Sequence, residues 1–99
     1  MEKETLIRYW SLNKFIKNKA IIEAFRKVNR EDFVHPELRH RAYDDVALPI
    51  LSGQTISQPS TVVSMLDFLK LRKGQKVLEI GTGSGYNAAL IAEIIKPGN

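Results

Sequence analysis

The sequence predicts an α/β fold of the doubly wound type, entered through an N-terminal helical cap. Three observations carry that expectation. Val77, Leu78 and Ile80 form the apolar run expected of a parallel strand covered on both faces. Gly81, Gly83 and Gly85 follow, and the loss of three side chains within this short run lets the backbone turn tightly and a ligand approach it. Asn87 to Ile95 then reads as a mostly apolar helix suited to burial against a sheet. Strand, glycine turn and helix together make half of a nucleotide-binding unit.

The elements ahead of that unit follow in order. Lys3 to Lys17 carries Leu6, Tyr9, Trp10, Leu12, Phe15 and Ile16 at three- and four-residue steps, which predicts an amphipathic helix. Trp10 and Phe15 are expected as core anchors. Asn18 is placed to cap a second helix, Ala20 to Val28, with Ile21, Ile22, Phe25 and Val28 on one side. The periodicity is lost from Asn29 to Pro36. Pro36 disfavours helix at His35 and suits the start of a short helix running to Ala42.

Tyr43 to Pro59 is rich in Pro, Gly, Ser and Asp, and no period fills it. It reads as a long ordered loop of the kind that is often functional. Asp44 and Asp45 are adjacent, so they point different ways, and solvated or capping roles are expected of them. Pro59 to Leu71 is a helix whose stripe is Val62, Met65, Leu66 and Leu69, widened by Val63. Ser57 or Gln58 is positioned to cap it. Lys76 to Ile80 is then the strand of the glycine unit.

Composition narrows the function classes. Ninety-nine residues, 43% hydrophobic and 26% charged, make one small domain of ordinary globular character. The absence of cysteine excludes disulfides and thiolate metal sites. The only histidines, His35 and His40, are five apart and off the spacing that puts two ligands on one helical face, so no metal site is expected. No apolar run approaches the ~20 residues that cross a bilayer and no signal peptide is visible, so a cytoplasmic protein without a membrane partner is expected. The net charge is +4, and residues 1–41 hold ten of the fifteen Lys and Arg against six of the eleven acids. Those acids interleave with the bases, which predicts a solvated helical surface and no nucleic-acid partner.

Glycine spacing narrows the cofactor class. A dinucleotide fingerprint needs Gly-x-Gly-x-x-Gly, but Tyr86 stands where its third glycine belongs. A Gly-x-x-x-x-Gly-Lys-Ser/Thr phosphate loop is also missing. Glu79, two residues before the turn, completes a pattern that resembles the first motif of the Rossmann-like S-adenosylmethionine-dependent methyltransferases. Tyr43–Ile50, Gln54–Pro59 and Val77–Ala89 occur in the order and spacing of one family. The chain resembles the N-terminal portion of a protein-L-isoaspartate O-methyltransferase, over nearly all its residues.

That resemblance implies methyl transfer from S-adenosyl-L-methionine to the free α-carboxylate of L-isoaspartyl residues in damaged proteins and peptides, a repair reaction. It implies that Ser57 is the active-site serine and that Thr55 and Ile56 shape the same substrate loop. Glu79, Gly81, Thr82, Gly83, Ser84 and Gly85 are implied as cofactor-pocket residues. Some family members have His where this chain has Ser60, and no role for that histidine carries over. Residues 1–42 are expected to be the cap, 43–58 the substrate loop and 59–99 the opening of the doubly wound domain. Competing expectations are a methyltransferase with another acceptor and a truncated, non-catalytic interaction domain.

A doubly wound sheet needs several strands. Lys96-Pro97-Gly98-Asn99 instead reads as a helix terminator and a turn where a second strand is due. The chain is therefore expected to be part of a longer enzyme. The acid that binds ribose, roughly 20 residues beyond the glycine turn, falls past Asn99. Alone, the chain is expected to bind cofactor weakly and turn over negligibly.

Overall fold

The structure, a computed structural model, describes residues 1–97, so the turn expected at Gly98-Asn99 lies outside the described residues. Its first helix, α1 (Lys3–Leu12), buries Leu6, Ile7 and Trp10 on one face. It stops short of the expected Lys17 because Lys14 enters the left-handed region at φ 54°. There the Lys14 N–H donates to the Ser11 carbonyl and the Phe15 N–H to the Trp10 carbonyl. These are the paired bonds of a Schellman motif. The turn leaves Phe15 exposed, against its expected core role, and puts Ile16 in the core.

Helix α2 (Lys19–Lys27) begins at the expected cap, with the Asn18 side chain accepting from the Ala20 N–H at 2.9 Å. Its inward face carries Ile21, Ala24 and Phe25. Phe25 meets Trp10 edge-on at 4.9 Å between ring centroids and Tyr43 at 5.7 Å. This aromatic row ties α1 and α2 to the start of the loop. Two 3₁₀ turns connect them, Arg30–Phe33 and Pro36–Arg41, the second replacing the short helix expected from Pro36.

The segment after Tyr43 holds a hairpin that periodicity did not reveal. Strand β1 (Leu48–Pro49) pairs antiparallel with β2 (Thr55–Ile56), with Leu48 opposite Ile56. Both of those residues are buried. Strands of two residues carry no readable alternation. Helix α3 (Pro59–Leu69) follows with proline in its first turn, as expected, and buries Val62, Val63 and Leu66. Met65 and Leu69, expected on the same stripe, are instead 64% and 58% exposed.

The main departure is the expected strand from Lys76 to Ile80. Gln75–Glu79 carries no regular secondary structure, and Leu78 and Ile80 are 87% and 91% exposed. A parallel strand has no hydrogen bonds of its own and exists only through neighbours reached by crossovers. Among the described residues no strand pairs with this segment. Its apolar pattern is that of a sheet strand without the sheet.

Helix α4 (Tyr86–Ile95) turns Tyr86, Leu90 and Ile94 inward and packs on α2. Lys27 reaches Glu93 across that contact at 3.6 Å. The Gly74 N–H donates to the Ile95 carbonyl at 2.6 Å, fastening the turn after α3 to the end of α4. One hydrophobic core therefore runs from Leu6 through Phe25, Leu48 and Val63 to Leu90 and Ile94. No helix among the described residues is long and apolar enough to cross a membrane.

Candidate active site

The glycine turn adopts backbone angles that side-chain-bearing residues avoid. Gly81, Gly83 and Gly85 have φ of 75°, 60° and 87°. The Gly85 N–H donates to the Thr82 carbonyl at 3.0 Å, and Ser84 Oγ accepts from the Tyr86 N–H at 3.2 Å. A Cβ added at Gly81 or Gly83 would meet no heavy atom within 4 Å. Protein packing thus does not exclude side chains here, and the main chain is left bare on an open side. Beside it, Glu79 Oε1 is buried without a hydrogen-bond partner among the described residues. A buried lone acceptor of this kind is costly unless a donor reaches it.

The loop expected to meet a substrate divides by exposure. Ile56 is buried and packs in the core, while Thr55 and Ser57 are exposed. Ser57 does not cap α3, nor does the Gln58 side chain. Asp45 supplies the cap from a distance. Its Oδ1 accepts from the Ser60 N–H at 2.8 Å and its Oδ2 from the Ser60 hydroxyl at 2.5 Å. Trp10 Nε1 donates to Ser60 Oγ at 2.8 Å, completing the chain of bonds. Asp44 turns the other way, toward the N-terminal ammonium at 2.8 Å. Freed from capping, the Ser57 hydroxyl is available to a ligand.

Sequence reasoning missed Arg30, which gave no periodic or motif signal within Asn29–Pro36. Its side chain is fully buried. Nε donates to the Ala42 carbonyl at 2.6 Å and Nη2 to the Ser57 carbonyl at 2.7 Å. The guanidinium lies 5.1 Å from the centroid of the Tyr86 ring. Burial lowers the Arg30 pKa, opposed by Tyr86, Tyr43 and Asp45, and a guanidinium remains protonated in such a setting. The Tyr43 hydroxyl accepts from the Arg30 N–H at 3.0 Å and donates to Glu31 at 2.6 Å. Burial, helped by that carboxylate, pushes the Tyr43 hydroxyl well above its ordinary pKa. Burial likewise raises that of Tyr86, against the pull of Arg30.

A cleft of about 510 Å³ opens between the Asp32–Pro36 turn, the tip of the hairpin and the glycine turn. Gly83 and Ser84 face Gln54 and Ile50 across it. Of the expected site residues, only Gly83 and Ser84 line this cleft; Thr55, Ile56, Ser57, Glu79, Gly81, Thr82 and Gly85 do not. Among the described residues no group of three or more His, Asp or Glu is placed to hold a metal ion.

The comparisons with known proteins agree on one family. The model of the family described as Protein-L-isoaspartate(D-aspartate) O-methyltransferase matches residues 1–99. A protein-L-isoaspartate O-methyltransferase of Ignicoccus hospitalis is 53% identical over 96 residues, covering 97% of this chain and 46% of the relative. That of Methanothrix thermoacetophila is 50% identical over 97 residues, covering 98% of this chain and 45% of the relative. The chain thus spans about half the length of the curated relatives it matches. Among solved structures, one named protein-L-isoaspartate O-methyltransferase superposes with a TM-score of 0.75 at 34% identity, covering 95% of this chain and 31% of that one. A Plasmodium falciparum protein described under the same enzyme name, in complex with S-adenosyl-L-homocysteine, gives a TM-score of 0.79 at 23% identity. It covers 93% of this chain and 41% of that one, a likeness of fold.

Proposed function

Since the chain belongs to the protein-L-isoaspartate O-methyltransferase family, we propose that the protein methylates the free α-carboxylate of L-isoaspartyl residues in damaged proteins. A neighbouring backbone amide nitrogen of the damaged protein then attacks the ester carbonyl and expels methanol, and the resulting succinimide can hydrolyse back to normal aspartate. Damaged isoaspartyl proteins and peptides are the proposed partners, and the cytoplasm the proposed location. Residues 1–42 serve as the cap, 43–58 as the substrate loop and 59–99 as the opening of the cofactor-binding domain.

The observation that carries the reading is the bare glycine turn beside the unpaired Glu79 Oε1. These features fit S-adenosylmethionine. Gly81 and Gly83 admit close approach to the main chain, and Glu79 offers an acceptor to the donors of an amino-acid moiety. Thr82, Ser84 and Gly85 complete the proposed cofactor contacts. When bound, S-adenosylmethionine supplies an electrophilic methyl carbon.

The remaining chemistry asks little of side chains. A carboxylate with a reference pKa of ~4 is ionised at neutral pH and needs no general base. Catalysis then rests on holding the reacting groups in line, which can contribute roughly 7–11 kcal/mol. Ser57 acts as an orienting hydrogen-bond donor to the substrate carboxylate. Thr55 flanks it, while the core packing of Ile56 fixes the segment between them.

The test is methyl transfer, by the protein expressed from its own gene, to matched peptides containing isoaspartate or aspartate. Transfer to the isoaspartyl peptide alone is expected, and equal transfer to both would overturn the substrate assignment. Ser57→Ala should lower turnover more than it weakens cofactor binding, and unchanged turnover would remove Ser57 from the mechanism.

A further inference from the structure

We propose that Arg30 is the positioning residue of this site, clasping both ends of the 43–58 loop and seating its Ser57 end against the residue that follows the glycine turn. The proposal rests on the methyl-transfer reading for its kinetic consequence and on geometry for its structural one. The Ala42 carbonyl immediately precedes the loop and the Ser57 carbonyl lies at its far end. A single guanidinium donates to both, at 2.6 Å and 2.7 Å. The same group lies over the ring of Tyr86, which directly follows Gly85. Three segments distant in sequence therefore meet at one side chain.

Its chemistry argues for placement. Arg30 is fully buried, and its guanidinium donates to carbonyls, with no carboxylate in hydrogen-bond contact among the described residues. A desolvated charge with no carboxylate bonded to it is an expensive way to hold a fold together, and an apolar residue of similar volume is often as stable. What the guanidinium adds is a rigid planar fork that fixes two acceptors at a set separation. The single ammonium of lysine cannot reproduce that fork. The Ser57 carbonyl is held while its side chain stays exposed, so the clasp orients the hydroxyl without occupying it. The hairpin secures the middle of the loop and Arg30 secures its ends.

The experiment compares Arg30→Lys and Arg30→Met with the parent, in the protein expressed from its own gene. Amide exchange across residues 55–58 should quicken by about tenfold or more, while amides of α2 and α4 keep their protection. Turnover of an isoaspartyl peptide should fall by about tenfold, with the cofactor dissociation constant moving less than about threefold. Arg30→Lys combined with Ser57→Ala should be no slower than Ser57→Ala alone, because the two act as one unit. Parent-like exchange at 55–58 in a folded lysine variant would overturn the clasp, as would protection lost equally throughout the chain. If Arg30→Met does not fold, the lysine variant, which keeps charge and length, carries the test. A parent inactive on isoaspartyl peptides would defeat the functional reading, and the exchange comparison would still decide the clasp.

Discussion

Asp45 and Ser60 are joined twice, Oδ1 to the Ser60 N–H at 2.8 Å and Oδ2 to its hydroxyl at 2.5 Å. One carboxylate thereby satisfies an open donor in the first turn of α3 and holds the loop to that helix. Asp45→Ala removes both acceptors and leaves the Ser60 hydroxyl only Trp10 as a partner. The expected loss is about 1–2 kcal/mol, the size of a lost helix cap. Asp45→Asn keeps one carbonyl acceptor and should lose less. Urea unfolding of the three proteins measures the difference, and an alanine variant as stable as the parent would contradict the cap.

Gly83 and Gly74 separate backbone strain from ligand approach. Both have positive φ, 60° and 83°, and a Cβ at either would meet nothing within 4 Å. Alanine at each should therefore cost a similar amount, about 1–2 kcal/mol, from left-handed strain alone. Only Gly83 lines the cleft. Gly83→Ala should weaken S-adenosylmethionine binding by about tenfold or more, equivalent to about 1.4 kcal/mol, while Gly74→Ala leaves it unchanged. Calorimetric titration of both variants, made in the protein expressed from its own gene, decides, and equal affinities would place the cofactor away from this turn.

The sequence announced the parts of this fold whose physics is local. Asn18 caps α2 and Pro59 opens α3 because each is set by the few residues around it. The glycine turn was readable for the same reason, since its conformation demands glycine. Arg30 was not, because a buried arginine and a surface arginine look alike until the chain is folded. Exposure was misread where burial depends on distant partners. Leu78, Ile80, Met65 and Leu69 have the pattern of covered residues, yet pattern records only which face is apolar. The hairpin was hidden by length, two residues being too few to alternate.

Lys14 occupies a position that suits glycine. At φ 54° it carries a side chain in the left-handed region while closing the Schellman turn of α1. Lys14→Gly relieves that strain but adds freedom to the unfolded chain. The net expectation is a gain of roughly 0.5–1 kcal/mol. Lys14→Val should do the opposite, since a β-branched residue tolerates positive φ least. Thermal unfolding ranks the three proteins, and a glycine variant less stable than the parent would show that Lys14 makes contacts that outweigh its strain.

Glu31 gives stability a dependence on pH whose sign follows from its environment. Burial pushes its carboxyl up, but the Tyr43 hydroxyl, its own backbone N–H, Lys3 and Arg39 outweigh that and leave it below the ordinary 4.5. A carboxyl lowered on folding contributes stability that is fully present above its unfolded pKa. That contribution disappears as the pH falls through the folded value, because the unfolded chain takes up its proton first. The stabilisation from Glu31 should therefore be intact at neutral pH and decline below about pH 4.5. Glu31→Gln should flatten part of the acid limb, and Tyr43→Phe should do the same by removing the donor that Glu31 accepts from at 2.6 Å. Melting temperatures followed from neutral pH into acid provide the measurement. An acid limb equally steep in parent and Glu31→Gln would assign the pH dependence to other carboxylates, of which Asp44, paired with the N-terminal ammonium, is the next to replace.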